Sequence, residues 1–182
     1  ALNGTAGATA VNITAGTLTL GANNRLADGA TVTVSGGTLG MSTFTDTVSI
    51  FNMSSGSISG SGTLTATTYG LSGGTVDANL GTGTLNSSGA VALNGTAGAT
   101  AVNVTAGTLT LGSSDRLANG ATVTVSGGTL AMGANTDTVS IFNMSSGSIT
   151  GSGTLTATTY GLSGGTVDGN LGTGTINSSG NV

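Results

Sequence analysis

The side chains of this chain that could act as acids, bases or metal ligands are few. All six acidic residues are aspartates, two arginines are the only bases, and histidine, cysteine, glutamate and lysine are absent. Polysaccharide-cleaving enzymes need paired carboxylates, or carboxylates together with a base and a metal. Because the aspartates are sparse and stand alone, we expect no enzymatic activity, no catalytic residue and no small-molecule substrate. The aspartates are Asp28, Asp46, Asp77, Asp115, Asp137 and Asp168.

One segment has the residue types of a calcium site. The run Gly73-Gly74-Thr75-Val76-Asp77 begins like the Gly-Gly-x-Gly-x-Asp repeat of calcium-binding β-rolls. Its third glycine is missing and no other segment repeats it, so we interpret Asp77 as a turn-capping or solvent-facing residue. Arg25 and Asp28 predict a local ion pair that contributes little. We therefore expect neither a metal nor a cofactor.

The composition excludes further classes of function. Glycine accounts for 35 of 182 residues, charged residues for only 4%, and the net charge of −4 is spread along the chain. Without a basic patch that could contact phosphates, we expect no nucleic-acid partner. Thr-x-Thr motifs, which could bind ice on a flat array, shift between sub-repeats, so we interpret them as ordinary outward strand residues. These motifs are Thr17/Thr19, Thr31/Thr33 and Thr65/Thr67.

The elements that must position these residues are short strands. In the stretch Val11 to Gly21, apolar and small polar residues alternate, and a glycine separates two such runs. A period of two is typical of a half-buried strand. The same pattern recurs along the whole chain. With 36% hydrophobic residues in phase, it predicts an ordered β protein and not a disordered low-complexity chain.

The chain consists of one unit repeated twice. Residues 1–91 align with 92–182 without a gap and differ at 13 of 91 positions, mostly in predicted turns. We therefore predict two repeat units, 1–91 and 92–182, in one continuous solenoid without a linker. Solenoids usually carry atypical capping repeats, and neither end shows one. We expect the chain to be a window from a longer array, or to be capped by other copies.

Within one unit, five shorter sub-repeats predict the coils of a parallel β-helix. This all-β fold would have about five coils per unit and about ten in total, each coil rising by ~4.8 Å. A parse into four longer coils per unit is the alternative. The predicted coils are Ala10–Gly29, Ala30–Asp46, Thr47–Gly62, Thr63–Gly83 and Thr84–Thr100.

The apolar residues of these strands predict the core. The predicted core residues are Val11, Ile13, Leu18, Leu20, Val32, Val34, Leu39, Val48, Ile50, Ile58, Leu64, Val76 and Leu85.

Three kinds of residue leave alternatives open. Phe51 and its equivalent Phe142 follow an apolar residue, so each is either a core residue beside a bulge or an outward group for lateral contacts between solenoids. We expect Tyr69 and Tyr160 at a coil edge with the hydroxyl in water. Asparagines could form hydrogen-bonded ladders between coils or cap turns locally. The candidates are Asn12, Asn52 and Asn86.

The strands also resemble a known family. The run Thr-Ala-Gly-Thr-Leu-Thr-Leu-Gly at 14–21 and 105–112, followed by Arg-Leu-Ala and later Gly-Ala-Thr-Val-Thr-Val-Ser-Gly-Gly-Thr-Leu, resembles the passenger-associated repeats of bacterial autotransporter adhesins. The match covers about a third of each unit. It implies export with an outer-membrane partner and an extracellular or cell-surface location. It offers no catalytic residue to carry over.

Two functions follow as expectations. The first is a structural repeat segment of a long extracellular bacterial fibre, sheath or stalk, whose partners are further copies joined end to end or associated laterally. The second is an adhesin passenger that binds a cell surface or a glycan through one face of the solenoid.

Overall fold

The chain folds as a parallel β-solenoid, as the alternating pattern predicts. The computed structural model describes residues 1–182 and contains strands but no helix, so no helix could cross a membrane. Its fifteen strands join in one sheet that winds through about nine turns. The predicted all-β class and parallel β-helix architecture are therefore confirmed.

The strands differ widely in length because some continue around the corners of the solenoid. In chain order they are β1 (Ala10–Ile13), β2 (Thr17–Thr19), β3 (Thr31–Ser42), β4 (Thr45–Gly60), β5 (Thr63–Val76), β6 (Asn79–Leu80), β7 (Thr84–Leu93), β8 (Ala101–Val104), β9 (Thr108–Leu111), β10 (Thr122–Gly133), β11 (Thr136–Gly151), β12 (Thr154–Leu162), β13 (Thr166–Val167), β14 (Asn170–Leu171) and β15 (Thr175–Ser178).

The register between strands fixes where each coil begins and ends. Starting from Ala10, successive partners along one ladder are Thr31, Ile50, Thr68, Thr84 and Ala101. These five steps are unequal in length and end at the equivalent of Ala10 in the second unit. The second unit repeats the first four of them. Five coils therefore make one unit, whereas the predicted coil boundaries are displaced because glycines do not mark equivalent corners in every coil.

The coils pair along three parallel ladders, which we call faces A, B and C, although face C is not a paired strand in every coil. Face A contains Ala10–Ile13, Thr31–Val34, Ile50–Met53, Thr68–Leu71 and Thr84–Ser87. Face B contains Thr17–Thr19, Thr38–Gly40, Ser57–Ser59 and Thr75–Val76. Face C contains Thr45–Val48, Thr63–Ala66 and Asn79–Leu80. The second unit repeats these faces.

The core is a single cluster of 41 buried residues between the faces. Of the predicted core residues, Val11 and Leu18 are half-buried and pack against this cluster. Those that are buried are Ile13, Leu20, Val32, Val34, Leu39, Val48, Ile58, Leu64, Val76 and Leu85. Burying one aliphatic side chain is worth ~1.5–3 kcal/mol, and stacking lets each coil bury residues against both neighbours.

The predicted core position of Ile50 is wrong, whereas Phe51 and Phe142 follow the first of their two alternatives, a core residue beside a bulge. Ile50 is 37% exposed, whereas Phe51 and Phe142 are fully buried. Ser49 and Ile50 form a corner where both N–H groups point to the same carbonyl, that of Ala30. The corner inserts one residue into the alternation, so Phe51 faces inward in register with Val32. A lateral contact through Phe51 and Phe142 is therefore excluded.

The two tyrosines also lie inside the solenoid. Tyr69 and Tyr160 are fully buried, which corrects the expected position at a coil edge. The Tyr69 hydroxyl accepts the Ala66 N–H at 2.8 Å and can donate to the Leu64 carbonyl at 3.0 Å. Burial raises the pKa of this hydroxyl above its ordinary value, although the Ala66 hydrogen bond acts in the opposite direction. The ring is thus buried in the core, and the hydroxyl has hydrogen-bond partners there.

Glycine is required where the backbones of successive coils approach most closely. At Gly56 the backbone has φ of +83°, and a Cβ there would lie 2.1 Å from the Gly37 carbonyl oxygen. Only a glycine can adopt this backbone conformation with so little space for a Cβ atom. The equivalent Gly147 has the same φ and the same close neighbour, Gly128.

The boundary between the two units lies inside a strand. Strand β7 runs through it without interruption and pairs with β5 on one side and with β8 and β9 on the other. The two units are therefore joined by the same ladders that join coils within one unit.

Candidate binding groove

The six aspartates are the only acidic side chains of the chain. No group of three or more potential metal ligands is present. Asp77 is exposed and accepts the Asn94 Nδ2–H at 2.7 Å, which ties neighbouring coils together. Asp28, Asp115 and Asp168 are exposed as well, whereas Asp46 and Asp137 are buried.

Asp46 lies at an inward position of face C, in register with Leu64. Its Oδ2 accepts the backbone N–H groups of Arg25 at 2.7 Å and Leu26 at 3.1 Å. Its Oδ1 accepts the N–H of Thr47 at 2.9 Å. The carboxylate thus replaces a missing backbone acceptor beside the loop of the preceding coil. Its role is structural, since all of these partners are main-chain groups.

Asp137 makes the same contacts in the second unit. It accepts the N–H groups of Arg116, Leu117 and Thr138. Burial raises the pKa of Asp137 above its ordinary value, the three hydrogen bonds oppose that effect, and the charge of Asp115 adds to it. The first unit carries Asn24 where the second carries Asp115, so this electrostatic contribution is specific to the second unit.

Arg25 does not form the predicted ion pair with Asp28. Its Nε donates to the Asn23 carbonyl at 2.9 Å, and its Nη1 donates to the Asn3 carbonyl at 2.9 Å. The guanidinium instead bridges two coils through their main chains. Arg116 does the same in the second unit through Ser114 and Asn94.

Face A carries a groove beside its outward column of side chains. In register along this column lie Thr33, Asn52, Gly70 and Asn86. Gly70 has no side chain, so a gap of about 310 Å³ opens between the two asparagines. A Cβ at Gly70 would lie 2.6 Å from the Asn52 Oδ1, which shows that the Asn52 amide leans over the glycine.

The side chains around this groove retain unused hydrogen-bonding capacity. The side chain of Asn52 makes no hydrogen bond within the protein, and neither do the hydroxyls of Ser54, Ser72 and Ser88, all of which line the groove. Asn86 accepts one hydrogen bond, from the Asn103 Nδ2 at 2.9 Å, and its own amide N–H groups stay free. The groove therefore offers several neutral donors and acceptors to a ligand.

The groove recurs at the same place in the second unit. There Thr124, Asn143, Gly161 and Asn177 form the column, and the gap measures about 420 Å³. Five coils at ~4.8 Å each place the two grooves ~24 Å apart on one face. The chain therefore presents the groove twice on the same face.

The groove has the chemistry of a site for neutral, hydroxyl-rich molecules. Its lining contains amides, hydroxyls, one methionine and one leucine in each unit, but no charged residue and no aromatic ring. Amide groups pair well with vicinal hydroxyls because they present a donor and an acceptor side by side.

The sequence contains part of this arrangement. The candidate ladder residues Asn12, Asn52 and Asn86 do share one column of face A, but Thr33 and Gly70 interrupt it. The only direct amide–amide bond of the column joins Asn86 and Asn103. The groove itself depends on Gly70 falling between Asn52 and Asn86, and only the pairing of β5 with β4 and with β7 reveals that.

The Thr-x-Thr motifs lie on different faces, as their shifting positions predict. Thr17 and Thr19 belong to face B, Thr31 and Thr33 to face A, and Thr65 to face C. They therefore form no single flat array. Comparisons with protein-family models, with curated proteins and with solved structures found no match to this chain.

Proposed function

We propose that the chain is a structural repeat segment of a long extracellular bacterial surface fibre, sheath or stalk. The observation that carries this proposal is the junction between the units, where strand β7 (Thr84–Leu93) crosses the boundary and pairs on both sides. A unit that joins its neighbour through its ordinary ladders can be repeated without a new interface. The partners are then further copies of the unit, stacked end to end.

The lack of reactive side chains and the resemblance to autotransporter passenger repeats support the same function. That resemblance is also the basis for proposing an outer-membrane export partner and a cell-surface location. Lateral association of fibres is a further element of the proposal. Its candidate contacts are Ile50 and Ile141, which are 37% and 36% exposed on the outside of face A.

A series of chains with one, two and four units tests the structural role. We expect rods that lengthen by ~24 Å per added unit, with unfolding midpoints that rise with the unit number because each junction adds stability. Electron microscopy and urea unfolding measure the two quantities. Chains that appear as beads joined by flexible connections, or midpoints independent of unit number, would contradict the proposal.

The recurring groove favours a second function, that of an adhesin passenger which binds a neutral glycan on a cell surface through face A. Titration with uncharged oligosaccharides, followed by NMR of the asparagine side-chain amides, tests it. We expect shifts of the Asn52 and Asn143 amides that Gly70→Ser together with Gly161→Ser abolishes by filling the gap. Gly29→Ser, at an exposed turn with open space around it, is the matched control. Equal shifts in both variants would exclude the groove as the site.

A further inference from the structure

The chain contains three Asn-Gly dipeptides, and the fold leaves them in different environments. They are Asn3-Gly4, Asn94-Gly95 and Asn119-Gly120. Asparagine followed by glycine is the pair most open to attack of the main chain on the side-chain amide, since glycine carries no side chain to hinder it. We propose that Asn119 is a site of spontaneous deamidation and that coil stacking protects Asn94 from the same reaction.

The reaction needs only water and a base from solution. The Gly120 nitrogen attacks the Asn119 Cγ, a bond forms between them, and the Cγ–Nδ2 bond breaks with release of ammonia. Water then opens the cyclic imide. Cleavage between the nitrogen and Cγ gives aspartate, whereas cleavage between the nitrogen and the main-chain carbonyl carbon gives isoaspartate, with one extra carbon in the main chain.

Asn119 and Gly120 form the tip of an exposed turn. The turn is closed by the Ala121 N–H, which donates to the Ala118 carbonyl at 2.8 Å. Neither the Gly120 N–H nor the Asn119 side chain makes a hydrogen bond within the protein, and a Cβ at Gly120 would have nothing within 4 Å. The Gly120 nitrogen and the Asn119 side-chain amide are therefore both free of hydrogen bonds, and the open space around Gly120 leaves room for the turn to rotate.

The first unit shows that this turn accommodates the product. It has Asp28-Gly29 where the second unit has Asn119-Gly120. The Ala30 N–H there donates to the Ala27 carbonyl at 2.9 Å, which closes the same turn. Deamidation to aspartate would therefore convert the turn of the second unit into that of the first and add one negative charge.

In Asn94-Gly95, hydrogen bonds hold both groups that would have to react, the Gly95 nitrogen and the Asn94 side-chain amide. The Gly95 N–H donates to the Val76 carbonyl at 2.9 Å, and the Asn94 Nδ2 donates to the Asp77 Oδ1 at 2.7 Å. The ideal Cβ position of Gly95 lies 2.0 Å from the Ala78 carbonyl oxygen, so the backbones are in close contact. The attack would require local opening of the coil.

Asn3-Gly4 is a matched comparison for Asn94-Gly95. Residues 1–12 and 92–103 have identical sequences, so local sequence cannot explain a difference in rate. Asn3 is exposed, the Gly4 N–H makes no hydrogen bond, and a Cβ at Gly4 would have open space around it. We expect Asn3 to react like Asn119. In an array, this asparagine would report whether a coil covers it.

The experiment is peptide mapping of the 182-residue chain after incubation in mildly alkaline buffer. Trypsin cuts only after Arg25 and Arg116, which places the three Asn-Gly pairs on three separate peptides, 1–25, 26–116 and 117–182. Mass spectrometry of each peptide, with fragmentation to locate the site, gives three rates. We expect Asn94 to react at least about tenfold more slowly than Asn119, since its opening requires the loss of packed contacts.

Two controls keep the test decisive. Gly120→Ala adds a Cβ where there is room for it and should suppress reaction at Asn119 while leaving the β-sheet circular dichroism unchanged. Incubation in urea should bring Asn94 to the rate of Asn3, because their sequences match once the fold is lost. Unmodified Asn119 in the wild-type chain, or equal rates at Asn94 and Asn119 in the folded chain, would overturn the proposal.

Discussion

The buried polar residues Asp46 and Ser87 both lie at inward positions with apolar neighbours, and they differ in the hydrogen bonds that their side chains make. At Asp46, each carboxylate oxygen accepts main-chain N–H groups, with Arg25, Leu26 and Thr47 as donors. At Ser87, which lies between Leu71 and Val104 on face A, the buried Oγ has no hydrogen-bond partner.

The difference lies in the backbone beside each residue. The coil before Asp46 contains a loop, and the N–H groups of Arg25 and Leu26 find no carbonyl there. Ser87 itself is paired with Leu71 and with Val104, and its main-chain carbonyl accepts the Thr105 N–H at 2.9 Å, although the register between β5 and β7 shifts directly after this residue. No main-chain N–H group donates to its hydroxyl. A buried polar side chain therefore stabilises this fold where it accepts main-chain N–H groups that have no carbonyl partner, and it is only tolerated where it makes no hydrogen bond.

Of the substitutions at these buried polar positions, Asp46→Leu should lower the free energy of unfolding the most. Leucine matches Leu64, the register partner of Asp46, but it leaves the N–H groups of Arg25 and Leu26 unsatisfied. With ~1–3 kcal/mol for each buried unsatisfied group, we expect a loss of about 3 kcal/mol in the free energy of unfolding. Urea unfolding measures it, with Thr47→Ala on the outer surface as the control. An unchanged or higher midpoint would mean that the carboxylate is dispensable, as some buried ion pairs are.

Tyr69→Phe removes a buried hydroxyl that is hydrogen-bonded, and it should destabilise the fold less than Asp46→Leu does. The Ala66 N–H loses its acceptor at 2.8 Å, while the ring keeps its packing. We expect a loss of about 1–2 kcal/mol in unfolding free energy, and an equal loss for Tyr160→Phe, whose hydroxyl accepts the Ala157 N–H. A loss confined to one of the two variants would show that the units are not equivalent in stability.

The same comparison explains how far the sequence alone reaches. Alternation predicts the fold and most of the core, because strand residues of period two must face either inward or outward. Alternation also predicts that Asp46 faces inward, since Thr45 and Thr47 on either side of it face outward. A lone carboxylate is nevertheless rarely assigned to a core. Only the three N–H donors of the neighbouring coil and strand explain its burial.

Corners and registers account for what the sequence could not predict. Ile50 faces outward and Phe51 inward because the corner at Ser49 shifts the phase of the alternation by one residue. The groove at Gly70 requires knowing which residues stack, and coil lengths that change from one coil to the next cannot be read from glycines alone. Long-range pairing, not local preference, sets both features.

Ser87→Ala tests whether the buried Ser87 hydroxyl, which has no hydrogen-bond partner, is only tolerated by the fold. Removing a buried hydroxyl that has no partner should raise the free energy of unfolding by about 1 kcal/mol or less. Ser178→Ala is the matched control, since Ser178 is the equivalent residue but is exposed, and no change is expected there. A clear destabilisation by Ser87→Ala would mean that the hydroxyl is hydrogen-bonded through a buried water molecule.

Asp115→Asn has the smallest expected effect, and it acts on the pKa of the buried Asp137 in the second unit. Asn24 and Asp115 share a left-handed backbone, with φ of 53° and 56°, so the exchange preserves the turn. Burial and then the charge of Asp115 raise the pKa of Asp137, so the folded chain holds this proton more tightly than the unfolded chain. The stabilisation from protonation is complete below the ordinary aspartate pKa and is lost as the pH rises through the higher folded value.

Without the Asp115 charge, the pKa of Asp137 should fall, and less stability should be lost toward neutral pH. A titration followed by carboxyl ¹³C NMR measures the pKa directly. Asp168→Asn removes another exposed aspartate that does not act on Asp137, and it should leave the pKa unchanged. If both variants lowered the pKa equally, the effect would come from overall charge, and the corner of the second unit would not differ electrostatically from that of the first.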